Sequence, residues 1–173
     1  MPSEAEIFMP DEHVVFRGRP MRVTGRVQFE GASGQLTFRY LLSEPAGAPV
    51  ILEEGDGRFA LLRAFPQGAQ PRTAGNTVTV GTEKYTLVAV RQLKVLDVSG
   101  KVPGIAPKAP MIVSGIFEGP MGTLMRELVP GAAAQAYYLL KPLAAGEVLS
   151  ATRHAADKDA AARAAGKRAL DAD

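Results

Sequence analysis

The chain has 173 residues, with no cysteine, no tryptophan, two histidines and only 6% aromatic residues. Without cysteine there can be no disulfide, thiolate nucleophile or cysteine metal site, and a reducing compartment is permitted. A zinc site needs three or four suitable ligands. The histidines, His13 and His154, stand at opposite ends of the chain, and Asp11-Glu12-His13 reads as an acidic linker before a strand. Long apolar runs are missing too. The longest, about residues 111–117, falls far short of the ~20 residues that span a bilayer. The opening MPSEAEIFMPDEH is acidic and starts no apolar run, so it does not read as a signal peptide. An excess of one charge is also absent: 20 Lys and Arg against 18 Asp and Glu leave +2. Basic clustering with interleaved aromatics is the footprint of nucleic-acid binding, and it is not found here. These absences make a cytoplasmic protein the expectation.

What is present is apolar alternation. Hydrophobic residues make up 46% of the chain. A single domain of this length buries roughly 70% of its unfolded surface without staples. Residues 14–62 organise the rest. Val23, Gly25, Val27 and Phe29 alternate with Arg22, Thr24, Arg26 and Gln28, and Leu36, Phe38, Tyr40 and Leu42 do the same across a Gly31-Ala32-Ser33-Gly34 loop. Pairing Phe29 with Leu36, Val27 with Phe38 and Val23 with Leu42 puts every large apolar residue on one face. That register sets Arg26 opposite Arg39.

The expected organisation is a leader over residues 1–13, a β-rich domain over 14–149 and an Ala-rich helical or frayed tail over 150–173. Asp56-Gly57 is a two-residue hairpin signal. The connector 66–76 (PQGAQPRTAGN) separates two stretches, 14–65 and 77–149, in which Val14 to Gly18 is answered by Thr77 to Gly81 and Met21 to Gly25 by Tyr85 to Ala89. A connector with three prolines is expected over 99–110, and further strands at 111–117, 123–129 and 135–141. The fold class is mainly β: an antiparallel barrel or sandwich of about eight to ten short strands, with two similar halves as an open alternative, plus a C-terminal helix.

Tyr40-Leu41-Leu42, Val50-Ile51-Leu52, Tyr85, Gly115-Ile116-Phe117-Glu118-Gly119 and Tyr137-Tyr138 carry a resemblance. Over about residues 14–149 the chain resembles the uncharacterised bacterial domain-of-unknown-function family 4178. The resemblance implies a β-rich domain, often encoded near polyamine-synthesis and membrane-stress genes, with no established activity.

Catalytic patterns do not emerge. No serine sits in a nucleophile elbow, and Gly115, Gly119 and Gly122 lack the Lys-Ser/Thr ending of a phosphate loop. Neighbours on a strand point to opposite faces, so Glu53 and Glu54 do not share a cleft; a solvated hairpin end is expected there. Arg22, Arg26 and Arg39 form the candidate site. On one face, with Arg26 opposite Arg39, they repel by up to ~1 kcal/mol unless Glu53, an anionic ligand or an acidic protein surface answers them. The function expected is a non-enzymatic binding or assembly module for a protein partner, with a small anion as a further ligand and no cofactor, metal or catalytic residue. The alternative is a small-molecule binder or enzyme using the interior of the β core.

Overall fold

The computed structural model describes residues 7–45, 47–65, 70–100, 110–130 and 135–170. Residues 1–6 of the leader, residues 101–109 of the connector expected over 99–110 and the side chain of His154 lie outside the described parts. The first half of the chain carries β1 (His13–Phe16), β2 (Arg19–Glu30), β3 (Leu36–Ser43), β4 (Val50–Gly55), β5 (Arg58–Ala64) and β6 (Arg72–Ala74). The second carries β7 (Thr77–Val80), β8 (Glu83–Gly100), β9 (Met111–Gly119), β10 (Gly122–Leu128), β11 (Gln135–Pro142) and β12 (Val148–Ser150), followed by helix α1 (Ala151–Leu170).

All twelve described strands belong to one antiparallel sheet in the order β12-β1-β2-β3-β4-β5-β11-β10-β9-β8-β7-β6, and a further pairing of β2 with β8 closes it. The result is an eight-stranded barrel, with the sheet continued by β1 and β12 at one end and by the β7–β6 hairpin at the other. A barrel, not a sandwich, is therefore the architecture. β6 and β12 are additions to the sequence reading, and β8 runs to Gly100, into the stretch expected to be a connector. Gly100 has φ +72, and a Cβ there would meet the Thr24 carbonyl oxygen at 2.2 Å, so only glycine lets β8 approach β2 at the closure.

The strand order reads the same from either end if β1 to β6 are exchanged for β7 to β12. Local details follow the same two-fold relation. Val14 pairs with Met21 as Val78 pairs with Tyr85. Bulges fall between Val23 and Gly25 and between Leu87 and Ala89. The sequence alignment of Val14 with Thr77 is thus one residue out; Val14 corresponds to Val78.

The bulge at Thr24 also corrects the hairpin register. Val23 does face Leu42, but beyond the bulge Val27 faces Arg39, Gln28 faces Phe38 and Arg26 faces Tyr40. The hairpin loop closes on Gly31, whose N–H donates to the Gln35 carbonyl at 2.9 Å, and this fixes the shifted pairing. A bulge turns the strand over locally. Residues before it therefore point one way and Val27 and Phe29 the other. Of the seven apolar residues expected to be buried, Val23, Val27, Phe29, Phe38, Tyr40 and Leu42 are, and Leu36 is 43% exposed.

They divide between two layers. The lumen holds Val27, Phe29, Leu93 and Ile112 in one cluster and Leu62, Met125 and Tyr138 in another. Outside the wall, Val23, Phe38, Tyr40, Leu42, Leu52 and Leu61 pack beneath Phe8, Val14, Phe16 and Val148. Val78, Tyr85, Phe117 and Leu124 form the corresponding outer layer of the second half. The Asp56-Gly57 turn forms as read, with φ 53 and 74 at its two central residues.

Ser150 caps α1, its Oγ accepting from the Arg153 N–H at 3.1 Å. Every described side chain of the helix is exposed. Removing residues 151–173 is expected to move the thermal midpoint by no more than a few degrees, since little apolar area is lost. A drop of about ten degrees or more in a calorimetric scan would contradict that.

Candidate functional site

The three arginines singled out from the sequence do not share a face. Arg39 points into the lumen, and its side chain is 1% exposed. Arg26 points outward beneath the leader and Arg22 lies in solvent. The expected opposition of Arg26 and Arg39 is absent because the register is shifted, and the two cations lie on opposite sides of the wall, where they do not repel as a facing pair.

Each has its own surroundings. Arg22 is paired with Asp11 and lines a cleft of about 420 Å³ with His13, Thr24, Ser43 and Glu44. Arg26 Nη1 donates to Met9 Sδ at 2.9 Å, Nη2 lies 3.4 Å from Asp97 Oδ2, and the guanidinium stands 5.6 Å from the Phe38 ring. These contacts are modest for a nearly buried cation, and Nε has no hydrogen-bond partner.

Arg39 belongs to a chain of four charges crossing the lumen. Its Nη1 donates to Glu127 Oε2 at 2.9 Å and its Nη2 to Glu53 Oε2 at 3.0 Å. Glu53 Oε1 in turn accepts from Arg91 Nη1 at 2.8 Å. Strand parity brings them together: Arg39 faces Glu53 across β3 and β4, while Ser114 is flanked by Arg91 on β8 and Glu127 on β10. Glu53 and Glu127 occupy positions related by the two-fold exchange, and each accepts from an arginine of the other half. The Arg39 guanidinium lies 5.2 Å from the Phe29 ring, and Arg91 Nη2 contacts Met125 Sδ at 3.2 Å, so the chain sits between the two apolar lumen clusters.

The electrostatics are those of a closed network. Burial works against the Arg39 charge, but Glu127 and Glu53 outweigh it and raise its pKa. Burial likewise opposes the Glu53 carboxylate, while Arg39 and Arg91 hold its pKa below the usual value. Glu53 therefore stabilises the fold at neutral pH, and that contribution is lost below about pH 4 as the folded carboxylate takes its proton. Two arginines and two glutamates balance in charge, leaving no excess to attract an anion. The lumen residues Arg91, Glu127 and Ser114 were missed in the sequence because they sit on β8, β10 and β9, far along the chain from Arg39 and Glu53, and meet them only in the closed barrel.

Glu54 points to the outer layer, so it and Glu53 lie on opposite faces as expected. Both are buried, which corrects the reading of a solvated hairpin end. Burial raises the Glu54 pKa, with the Gly57 N–H bond at 2.9 Å opposing and Asp56 adding. Glu54→Gln keeps an acceptor for Gly57 and removes the desolvated charge. We expect it to stabilise the chain at pH 7 by on the order of 1 kcal/mol or less. The advantage should vanish near pH 4, where wild-type Glu54 is itself protonated; urea titrations at the two pH values measure it.

The outer wall carries a second feature. Residues 7–12 lie along it, with Phe8 buried against Tyr40 (ring centroids 5.3 Å apart) and stacked on Phe59 (5.9 Å). On the second half, Val88 and Val90 are 54% and 58% exposed. Among the described residues, no group of three or more His, Asp or Glu side chains is placed to hold a metal ion, and no helix is long and apolar enough to cross a membrane. No family model, curated protein or solved structure matches the chain.

Proposed function

We propose that the chain is a non-enzymatic binding or assembly module that recruits a protein partner on the outer wall of its barrel, in the cytoplasm. The observation that carries this reading is the exposed apolar pair Val88 and Val90 on β8, with Leu96, 41% exposed, further along the strand. Arg26 stands where Val90 would in the first half, and it lies beneath Met9. Exposed apolar wall beside polar strand positions is the character of a partner surface. The lumen is a poorer place for a ligand, because the interior of this eight-stranded barrel is filled by its own side chains. Here four of those side chains are held in mutual ion pairs.

Wild type and the Val88→Lys, Val90→Lys double variant, each immobilised, test the reading by quantitative capture. The expected result is one protein retained in stoichiometric amount by wild type and lost by the variant, with unchanged circular dichroism. Equal retention by both would remove this wall from consideration. The resemblance to family 4178 adds a membrane-stress or polyamine-related setting to the proposal. A ligand in the lumen has one observation in its favour, the buried Ser114 Oγ, which has no hydrogen-bond partner. Binding of a small molecule that Ser114→Ala abolishes would favour that reading instead.

A further inference from the structure

The leader and its two-fold counterpart begin alike. Before β1, Asp11 takes φ +73 and the Glu12 carbonyl accepts from the Val23 N–H at 2.9 Å. Before β7, Gly75 takes φ +57 and the Asn76 carbonyl accepts from the Leu87 N–H at 2.8 Å. Upstream of this shared turn the chains diverge. In the second half, residues 72–74 stay beside β7 as edge strand β6. In the first half the slot beside β1 is taken by β12, from the other end of the chain. The leader instead passes over the wall and drops one ring, Phe8, between Tyr40 and Phe59, its N–H donating to Tyr40 Oη at 3.3 Å. Ile7 and Met9 on either side are about half exposed. Withdrawing residues 7–9 would break no strand pairing of the barrel.

We propose that the Tyr40–Phe59 socket takes Phe8 from a second copy of the chain, two molecules exchanging leaders to form a closed two-fold pair. The segment that fits this socket is the chain's own, and exchange reproduces the same contacts between molecules as within one. The hinge favours opening. Pro10 stiffens it, and Asp11 holds a left-handed conformation that its counterpart leaves to glycine. A short hinge under such strain promotes exchange. Reciprocal insertion uses the same surface on both copies, so the assembly closes at two. This goes beyond the partner reading, because it concerns the opposite half of the barrel and does not depend on Val88 or Val90.

A tagged full-length Phe8→Ala chain keeps the socket and lacks the ring. Mixed at high concentration with untagged wild type, it should retain about tenfold more of it than of untagged Phe8→Ala chain. Equal retention of the two, or none, by a variant that is folded by circular dichroism overturns the proposal. If Phe8→Ala does not fold, Asp11→Gly decides the matter. Wild type should then show a dimer on sedimentation whose fraction falls several-fold when Asp11 is replaced. A wild type that is monomeric at every concentration, or a dimer fraction indifferent to Asp11→Gly, overturns it.

Discussion

Arg39→Met should cost about 3–5 kcal/mol at pH 7, the range for removing one partner of a buried ion pair. Met fills much of the volume, so the loss would come from the charge. Glu53 would keep Arg91 at 2.8 Å, but Glu127 would be left buried beside Tyr138 and Ser114 without a cation. The part of the loss that comes from the Arg39–Glu53 pair should shrink as pH falls below about 4, where wild-type Glu53 itself takes its proton, and denaturant titrations across that range would show it. The thermal midpoint at pH 7 should fall by on the order of ten degrees. Replacing Arg39, Glu53, Arg91 and Glu127 together by apolar residues of similar size should recover much of the loss, because no charge is then stranded. A single-variant cost below about 1 kcal/mol would mean that water reaches the lumen charges.

Phe38→Ala should be nearly as damaging, again about 3–5 kcal/mol, though it lies outside the barrel wall. Phe38 is 4% exposed, stacks on Tyr40 with ring centroids 6.2 Å apart, and carries the Arg26 guanidinium 5.6 Å from its own ring. Removal opens a cavity in the outer layer and takes away an aromatic support of Arg26. Leu36→Ala, two residues earlier and largely exposed, should change stability by a few tenths of a kcal/mol at most. Similar costs for the two would show that the outer layer does not behave as a core.

Strand alternation made most of the fold legible. β1 to β5, the Asp56-Gly57 turn and β9 to β11 follow from period-two patterning and from the glycines and prolines between runs. The bulge did not, since Thr24 carries no mark of being an inserted residue. From that one unseen residue followed the shifted register, the supposed opposition of Arg26 and Arg39, and the supposed common face of Arg22, Arg26 and Arg39. Apolar residues on one side only mark a sheet with one wet face. Here β2 to β5 are covered on both sides, by the lumen and by Phe8 with β1 and β12, so apolar parity no longer selects a register. β6 and β12, three residues each, are too short to carry a period. The pairing of Arg39 with Glu53 on the neighbouring strand was legible, but its continuation to Arg91 and Glu127 was hidden for a related reason, because these residues meet only when four strands are rolled together. What the sequence does hold is a glutamate at equivalent lumen positions of both halves, a clue visible once the two-fold correspondence is known.

The pairing of β5 with β11 and of β2 with β8 has a consequence for biosynthesis. As the chain leaves the ribosome, β1 to β5 emerge as a ribbon with two bare hydrogen-bonding borders. β2 waits for residues 94–100 and β5 for residues 138–142. During that interval Arg39 has Glu53 but not Glu127, and the inner face with Val27 and Phe29 is open to water. Bare borders and an open apolar face are what recruit neighbouring chains into aggregates. A nascent chain halted near residue 65 should thus be a chaperone client, and release from that dependence should come only after β11 has been made.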